Sequence, residues 1–299
     1  MSLARPPARP GPFRLAFLGT PAAAVPPLRA LVAAGHDVAL VVSRADARRR
    51  RGGAPEPSPV KAAALDLGIP VTERVDDVIA AGVDLAVVVA FGRLVKRHVL
   101  EAVPMVNVHF SLLPRWRGAA PVERAVLAGD DVTGVCVMGL EEGLDTGPVY
   151  GRVEVPIGPE ETAAELRARL VEAGTGLLVR LLAEGLPEPE PQSGEPTYAA
   201  KVEPGELCLD WSRPAAELHR VVRVGGAWTT FGGARLKVHR ALVDPGRADL
   251  PPGVLDGTAV GTGDGVLRLV EVQAEGRPAR PAEEWARGAR PAPGTCLGG

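Results

Sequence analysis

This chain of 299 residues has few aromatic residues, few cysteines and a small net charge. Phe, Trp and Tyr make up 4% of it, so we expect a core built mostly of aliphatic side chains. The formal net charge is -2, and a polyanionic partner would therefore have to be met by a local basic patch. The cysteines lack the number and spacing of a disulfide framework or a zinc site; they are Cys136, Cys208 and Cys296.

Long apolar segments and metal-type spacings are also lacking. No apolar run approaches the roughly 20 residues that a membrane helix needs. Met1–Pro12 mixes arginine and proline without the apolar part of a secretory signal, which predicts a disordered N-terminal extension over residues 1–12. We therefore expect a soluble protein of the reducing cytoplasm. We infer no metal, because no ligand-like spacing relates His36, His98, His219 and His239.

Aliphatic residues, glycine and proline are abundant, and they are arranged as alternating strands and helices. Hydrophobic residues make up 46% of the chain, with 36 glycines and 30 prolines to form turns. Buried strands are predicted over Arg14–Leu18, Asp37–Val42, Leu85–Val89 and Val106–His109. One helix is predicted after Thr20, with that residue as its cap, and another after the cap residue Ser58. This order predicts an α/β domain with a parallel sheet.

The length predicts two domains, since one core usually serves roughly 100–200 residues. A long helix is predicted over Glu161–Glu184 from the spacing of its leucines. Gly185–Pro196 then repeats proline and glutamate, and is too rich in proline for a helix and too polar for a core. We therefore expect a first domain over residues 13–184 and a linker over residues 185–204.

The pattern after the linker changes to short β-like runs separated by glycine and proline. Arg235–His239 and Gly265–Val270 are two such runs, and Ala215–Val224 is the single helical candidate. We expect a small β-barrel over residues 205–299.

Two polar residues stand near the end of a predicted central strand. Asn107 and His109 are two positions apart, so their side chains project from the same face of the strand. In open α/β sheets, ligands bind beyond the carboxyl ends of the strands. Asp145, within the glycine-flanked turn Gly143–Gly147, could supply a third group. The alternative is a turn-capping asparagine, a satisfied core histidine and a surface aspartate.

Five longer strings carry a resemblance to a known family. They are Phe17-Leu18-Gly19-Thr20-Pro21, Pro57-Ser58-Pro59-Val60-Lys61, Ser111-Leu112-Leu113-Pro114-Arg115-Trp116-Arg117-Gly118-Ala119-Ala120-Pro121, Leu209-Asp210-Trp211-Ser212 and Gly226-Ala227-Trp228-Thr229. With Asn107, His109 and Asp145, they make the chain resemble the folate-dependent formyltransferases over nearly its whole length. The closest likeness is to members that formylate methionyl-tRNA.

The resemblance implies a fold and a site. The fold is α/β, with a Rossmann-like parallel-sheet formyltransferase domain followed by a smaller OB-like β-barrel domain that binds tRNA. In the family, the residues matching Asn107, His109 and Asp145 are catalytic. The segment matching Ser111, Leu112, Leu113 and Pro114 lines the pocket for 10-formyltetrahydrofolate.

The resemblance also implies contacts with tRNA. Family members carry a long basic loop at the position of residues 44–53 that enters the acceptor arm, and a lysine matching Lys201 lies near the tRNA. The implied tRNA-binding residues are Arg44, Arg48, Arg49, Arg50, Arg51 and Lys201. This chain departs from the family in two places. Four consecutive arginines replace the prolines that flank the loop's aspartate and the Gly-Arg-Gly ending, and the segment before Gly226 is shorter.

The expected activity is transfer of the formyl group of 10-formyltetrahydrofolate to the amino group of methionyl-initiator tRNA, by a cytoplasmic enzyme that we expect to be a monomer. The Asn107 amide and the His109 imidazole are donors able to stabilise the developing oxyanion. Two alternatives are a formyltransferase for a small amine, such as an amino-sugar nucleotide or a glycinamide ribonucleotide, and a catalytically silent protein that binds nucleic acid.

Overall fold

The computed structural model describes residues 3–48, 54–244 and 250–298. They form two compact units. The first lies within residues 1–121, 132–156 and 167–200, and the second within residues 122–131, 157–166 and 201–299. The sequence places all of residues 13–184 in one domain, whereas two internal stretches, 122–131 and 157–166, cluster with the second unit.

Hydrogen bonds explain why these two stretches belong to the second unit. Arg223 donates from Nε to the carbonyl of Glu161 at 2.7 Å and from Nη2 to that of Gly158 at 2.8 Å. Arg124 forms two hydrogen bonds to the carboxylate of Glu206, at 2.7 and 3.0 Å. A periodicity in the sequence cannot reveal such contacts, because the residues that make them are distant along the chain.

Among the described residues before 201 there are eleven strands and six α-helices. The strands are β1 Arg14–Gly19, β2 Asp37–Val42, β3 Ala47–Arg48, β4 Pro55–Glu56, β5 Val71–Thr72, β6 Leu85–Val89, β7 Met105–His109, β8 Arg117–Gly118, β9 Val132–Gly139, β10 Val149–Pro156 and β11 Tyr198–Ala199. The helices are α1 Val25–Ala33, α2 Pro59–Asp66, α3 Asp77–Ala80, α4 Arg97–Ala102, α5 Pro121–Ala128 and α6 Ala163–Glu184.

The first unit is built on a seven-stranded sheet with the order β10-β9-β7-β6-β1-β2-β5. The strands β1, β2, β5, β6 and β7 pair in parallel, and β9 and β10 are antiparallel additions beside β7. All five residues of β6 are buried, as expected for the uninterrupted apolar run Leu85–Val89. The predicted α/β fold is confirmed.

The two predicted helix caps had different outcomes. Ser58 caps α2, because its Oγ accepts a hydrogen bond from the Lys61 N–H at 3.0 Å. The prediction for Thr20 is wrong: among the described residues its Oγ1 has no partner. The chain there first makes a 3₁₀ turn over Ala22–Ala24, preceded by Pro21, and α1 begins only at Val25.

Part of the predicted N-terminal extension is hydrogen-bonded to the first unit. Of residues 1–12 the structure describes 3–12. Ala4 N–H donates to the Leu100 carbonyl at 3.0 Å, and Gly11 N–H donates to the Leu182 carbonyl at 2.9 Å. The Arg9 guanidinium also lies 4.8 Å from the centre of the Phe13 ring. Composition alone does not indicate these contacts.

In the described residues after 201, the second unit is an antiparallel β domain with two α-helices. Its elements are α7 Ala215–Val224, β12 Trp228–Phe231, β13 Ala234–Asp244, β14 Leu255–Asp256, β15 Ala259–Gly261, β16 Val266–Ala274, β17 Arg280–Pro281 and α8 Ala282–Ala289. The strand order is β12-β13-β16-β15-β14, with β17 paired to β16. Its core includes Trp211, Leu218, Val238, Leu267 and Trp285. In the part of the chain that the structure describes, no helix is long and apolar enough to span a membrane.

Candidate active site

The three predicted catalytic side chains come from one strand and one loop at the carboxyl edge of the main sheet. Asn107 is the middle residue of β7 and His109 its last, and Asp145 lies in the loop between β9 and β10. The structure brings His109 and Asp145 together, with 3.7 Å between Nδ1 and Oδ2. Both side chains are largely enclosed, with 6% and 14% of their surface exposed. Asn107 is half-buried, and none of the described residues is hydrogen-bonded to its side-chain amide.

One ring nitrogen of His109 has an acceptor that fixes the position of the proton. Nε2 lies 2.9 Å from the carbonyl oxygen of Trp116. A carbonyl only accepts hydrogen bonds, so the ring donates from Nε2 and the neutral form leaves Nδ1 unprotonated. Nδ1 is the nitrogen that faces Asp145. Nδ1 is therefore the ring nitrogen with a lone pair available to a ligand.

Asp145 is held by its carboxylate and by its backbone. Its Oδ2 accepts a hydrogen bond from the Gly118 N–H at 2.7 Å. Its backbone is left-handed, with φ 51°, which costs a residue with a Cβ roughly 1–2 kcal/mol. Gln192 donates from Nε2 to the carbonyls of Asp145 at 2.8 Å and Gly147 at 2.7 Å. These hydrogen bonds stabilise a strained backbone conformation that would be unfavourable without them.

The turn after β7 holds the carbonyl group to which His109 is hydrogen-bonded. Trp116 is also left-handed, with φ 62°, and its N–H donates to Thr197 Oγ1 at 2.9 Å. Gly118 has φ 121°, and a Cβ at this position would lie 2.9 Å from the Ala199 carbonyl oxygen. Glycine is therefore required here for the close approach of two backbones.

The four residues predicted to line the folate pocket differ in exposure. Ser111 is fully buried, and its hydroxyl donates to the Arg115 carbonyl at 2.6 Å. Leu113 is 4% exposed and packs with Cys136 and other apolar residues. Leu112 and Pro114 are half-buried. Ser111 and Leu113 therefore support the turn from inside, and the lining role of the segment stays a prediction.

A loop that we did not predict from the sequence lies at the same edge of the sheet. It follows β6, which pairs in parallel with both β1 and β7. Ala90 and Gly92 are left-handed in it, and Leu94 is 82% exposed. The strand order reverses between β1 and β6, which is where ligands bind in open α/β sheets. Applying that rule to Leu85–Val89 would have identified this loop.

The residues predicted to contact tRNA are only partly described. Arg44 is exposed. Arg48 ends β3 and pairs with Pro55 of β4 through its backbone. Arg49, Arg50 and Arg51 lie outside the described residues. Lys201 is exposed in the second unit.

Two further features are a buried thiol next to β7 and a cavity at the other edge of the sheet. Cys136 pairs with His109 in the β7–β9 ladder, and burial raises the pKa of its thiol, so it is neutral at pH 7. A cavity of about 440 Å³ lies at the amino ends of β1 and β2, lined by Arg14, His36 and Asp37. That edge is opposite the catalytic one. Among the described residues, no cluster of His, Cys, Asp and Glu could hold a metal.

Two family models match the chain. One, described as formyl transferase, matches residues 13–182. The other, described as formyl transferase, C-terminal domain, matches residues 201–290. Together they cover both halves of the chain.

Curated relatives match it over nearly their full length. The methionyl-tRNA formyltransferase of Ruegeria pomeroyi is 43% identical over 293 residues, covering 92% of this chain and 97% of its own. That of Paenarthrobacter aurescens is 46% identical over 297 residues, with the same coverage of both chains.

Solved structures share the fold. WlaRD, a sugar 3N-formyl transferase crystallised with dTDP and 5-N-formyl-THF, has a TM-score of 0.69 at 15% identity and covers 90% of this chain and 100% of its own. HypX from Aquifex aeolicus, in complex with tetrahydrofolic acid, has a TM-score of 0.65 at 18% identity and covers 92% of this chain and 47% of its own.

Proposed function

The chain belongs to the formyl transferase family, and on that premise we propose that it formylates the amino group of methionine esterified to initiator tRNA. The formyl donor is 10-formyltetrahydrofolate and the product is N-formylmethionyl-tRNA. The observation that carries the proposal is the identity of 43% and 46% to methionyl-tRNA formyltransferases over 97% of their length.

The reaction exchanges one carbon–nitrogen bond for another. The amine of methionine attacks the formyl carbon, and a negative charge develops on the formyl oxygen. The bond from that carbon to N10 of the folate then breaks, its electron pair stays on N10, and N10 takes up a proton. The amine loses one proton in the same turnover, so protons balance. The site must stabilise an oxyanion and move one proton.

Each of the three side chains suits one of these tasks. The amide of Asn107 has no partner among the described residues and can donate to the oxyanion. His109 can donate from Nδ1 when it is protonated, and the Asp145 carboxylate lies 3.7 Å from that nitrogen. When His109 is neutral, Nδ1 or the Asp145 carboxylate can accept the amine's proton, directly or through water. Removal of one oxyanion donor typically costs roughly 10²–10³ in rate.

The carboxyl edge of the sheet offers an apolar surface for the folate. Leu94 is 82% exposed on the loop after β6, next to the strand that carries Asn107 and His109. An exposed leucine on the loop that follows the neighbouring strand suits the flat ring system of a pterin. We assign the folate to this loop together with the segment Ser111–Pro114. Leu112 and Pro114 are the members of that segment with accessible surface.

The acceptor is assigned to tRNA through two basic features and the second domain. Arg44 and the consecutive arginines Arg48–Arg51 form a local basic patch in a chain whose net charge is -2. Arginine binds phosphates through its planar fork of donors. Lys201 and the antiparallel domain over residues 205–299 would hold a large substrate by contacts remote from the reacting carbon. We further propose that the enzyme works as a cytoplasmic monomer.

The decisive assay is transfer of labelled formyl from 10-formyltetrahydrofolate to charged initiator tRNA, with charged elongator methionyl-tRNA as the control acceptor. We expect rapid transfer to the initiator and much slower transfer to the elongator. Transfer to an amino-sugar nucleotide but not to tRNA would overturn the acceptor. No transfer to any amine would overturn the function.

The basic loop is tested by replacing Arg48–Arg51 with alanine. Phosphate contacts release counterions, so the variant should show a higher KM for tRNA and a weaker dependence of KM on salt. Its kcat at saturating tRNA should change little, because the loop carries no reacting group. Unchanged tRNA kinetics in this variant would count against the loop.

A further inference from the structure

We propose that Gln192 is a positioning residue for Asp145, within a segment, residues 190–199, that holds His109 and Asp145 in place. We call this segment the strap. The sequence predicts it to be part of an interdomain linker. The inference rests on the proposed function, since the geometry of Asp145 matters to the rate only if Asp145 takes part in formyl transfer.

Gln192 connects the loop of Asp145 to the strand that holds its carboxylate. Its Nε2 donates to the Asp145 and Gly147 carbonyls, at 2.8 and 2.7 Å. Its Oε1 accepts from Arg117 Nε at 3.1 Å and Nη2 at 2.7 Å. Gly118, which follows Arg117 in the chain, donates its N–H to Asp145 Oδ2 at 2.7 Å. These hydrogen bonds form a ring that runs from Gln192 through Arg117 and Gly118 to Asp145 and back to Gln192.

The same strap supports His109 through Trp116. Thr197 Oγ1 accepts from the Trp116 N–H at 2.9 Å, and the Thr197 carbonyl accepts from the Arg117 N–H at 2.9 Å. The Trp116 carbonyl is the acceptor for His109 Nε2, at 2.9 Å. Farther along the strap, the Ala199 carbonyl accepts two N–H groups of the chain after Gly118. The strap thus positions the Trp116 carbonyl that fixes the tautomer of His109, and it holds the backbone of the turn after β7.

The loop of Asp145 needs this support. Asp145 has a left-handed backbone that disfavours a residue with a side chain, and the loop around it is exposed at Gly143, Leu144 and Thr146. Gln192 is half-buried and uses both amide hydrogens on the carbonyls of this loop. Without those donors we expect the loop to relax and Oδ2 to leave its position 3.7 Å from His109 Nδ1.

The chemistry of the amide allows two roles to be separated. Gln192→Glu retains the acceptor for Arg117 and strengthens that contact with a charge, but a carboxylate has no hydrogen to donate to the loop. Gln192→Met retains the length of the side chain and removes both functions. If the residue mattered only as an anchor for Arg117, the glutamate variant would stay active.

The test measures formyl transfer by the full-length enzyme carrying Gln192→Met or Gln192→Glu. We expect kcat to fall about 10–100-fold in both, the loss typical of a catalytic group misplaced by about 1 Å. KM for the folate and for tRNA should stay within about threefold, because neither substrate is assigned to Gln192. Gln273→Met is the matched control. Gln273 and Gln192 are the two glutamines of the chain, and Gln273 likewise donates to a backbone carbonyl, that of Arg277 at 2.8 Å.

A double variant links the effect to Asp145. If Gln192 acts through that carboxylate, Gln192→Met should cost less than about twofold in kcat when added to Asp145→Asn, because residues that act as a unit are not additive. A full 10–100-fold loss in that background would overturn the proposal. So would wild-type kcat in either single variant, or activity of Gln192→Glu with inactivity of Gln192→Met.

A structural measurement keeps the test independent of activity and of global folding. Amide hydrogen exchange at Gly118 and across Gly143–Gly147 should be at least about tenfold faster in Gln192→Met than in Gln273→Met at equal thermal stability. Unchanged exchange would overturn the positioning role. A wild-type enzyme that formylates no amine would overturn the proposed function instead, while faster exchange in the variant would still support the strap.

Discussion

Asp145→Asn removes a negative charge close to His109 while keeping the shape of the side chain. With 3.7 Å between His109 Nδ1 and Asp145 Oδ2, the attraction between a carboxylate and an imidazolium is about 4.5 kcal/mol at an effective dielectric constant of about 20. The two side chains are 6% and 14% exposed, so water screens this attraction less than at a surface pair. Loss of it from a charged transition state corresponds to about a 10³-fold slower reaction.

The same substitution should hardly affect folding. The amide oxygen of an asparagine can still accept the Gly118 N–H, now at 2.7 Å from Oδ2, so the hydrogen bond that the fold uses is retained. We expect the free energy of unfolding to change by less than about 1 kcal/mol. Single-turnover transfer of labelled formyl to charged initiator tRNA measures the chemical step, and urea unfolding measures stability.

Glu142→Gln is the control for charge removal from the same loop. Glu142 is 56% exposed, and its partner Arg97 lies 3.4 Å away at the surface, where an ion pair contributes about 0–1 kcal/mol. We expect this variant to react at the wild-type rate. The argument from the His109–Asp145 distance is refuted if Asp145→Asn reacts within about tenfold of wild type, or if Glu142→Gln is slowed as much.

Three other substitutions follow from the geometry. Hydrogen bonds from an arginine lower the pKa of Glu206 to about 2, so the ionised side chain should stabilise the fold fully above about pH 4.5 and lose that effect as the pH falls through about 2. Because the side chain is 41% exposed, Glu206→Gln should lower the free energy of unfolding by about 1 kcal/mol at pH 7 and by nothing near pH 2, as measured by urea unfolding. Leu94→Asp should raise KM for 10-formyltetrahydrofolate about tenfold, because it removes the free energy of burying one aliphatic side chain against the ligand. Leu65→Asp, at a side chain on α2 that is 57% exposed, should leave this KM unchanged. Gly118→Ala should lower the free energy of unfolding by about 1–3 kcal/mol and slow formyl transfer, because its Cβ would lie 2.9 Å from the Ala199 carbonyl oxygen; an alanine variant as stable as wild type would contradict that contact.

Local pattern was sufficient to predict the scaffold. The buried run Leu85–Val89 became the fully buried strand β6, and the helix predicted over Ala215–Val224 has those bounds in the structure. The cap at Ser58 was also correct, because Ser-Pro before a helix acts within one turn. The error at Thr20 has a local cause: a 3₁₀ turn over Ala22–Ala24 comes first and α1 begins only at Val25, so Thr20 does not directly precede the helix. Short-range rules succeed where the partner is nearby in sequence.

The sequence by itself determined the α/β order of the first domain, the β character of the second, and the strings that relate Asn107, His109 and Asp145 to formyl transfer. Only the tertiary structure decided how these residues are held. The carbonyl of Asp145 accepts a hydrogen bond from Gln192, a residue 47 positions away along the chain, in a segment whose proline and glutamate content indicates nothing beyond a linker. A hydrogen bond between a side chain and a distant backbone carbonyl leaves no periodicity and no composition signal. It exists because the fold brings two segments together at one edge of the sheet.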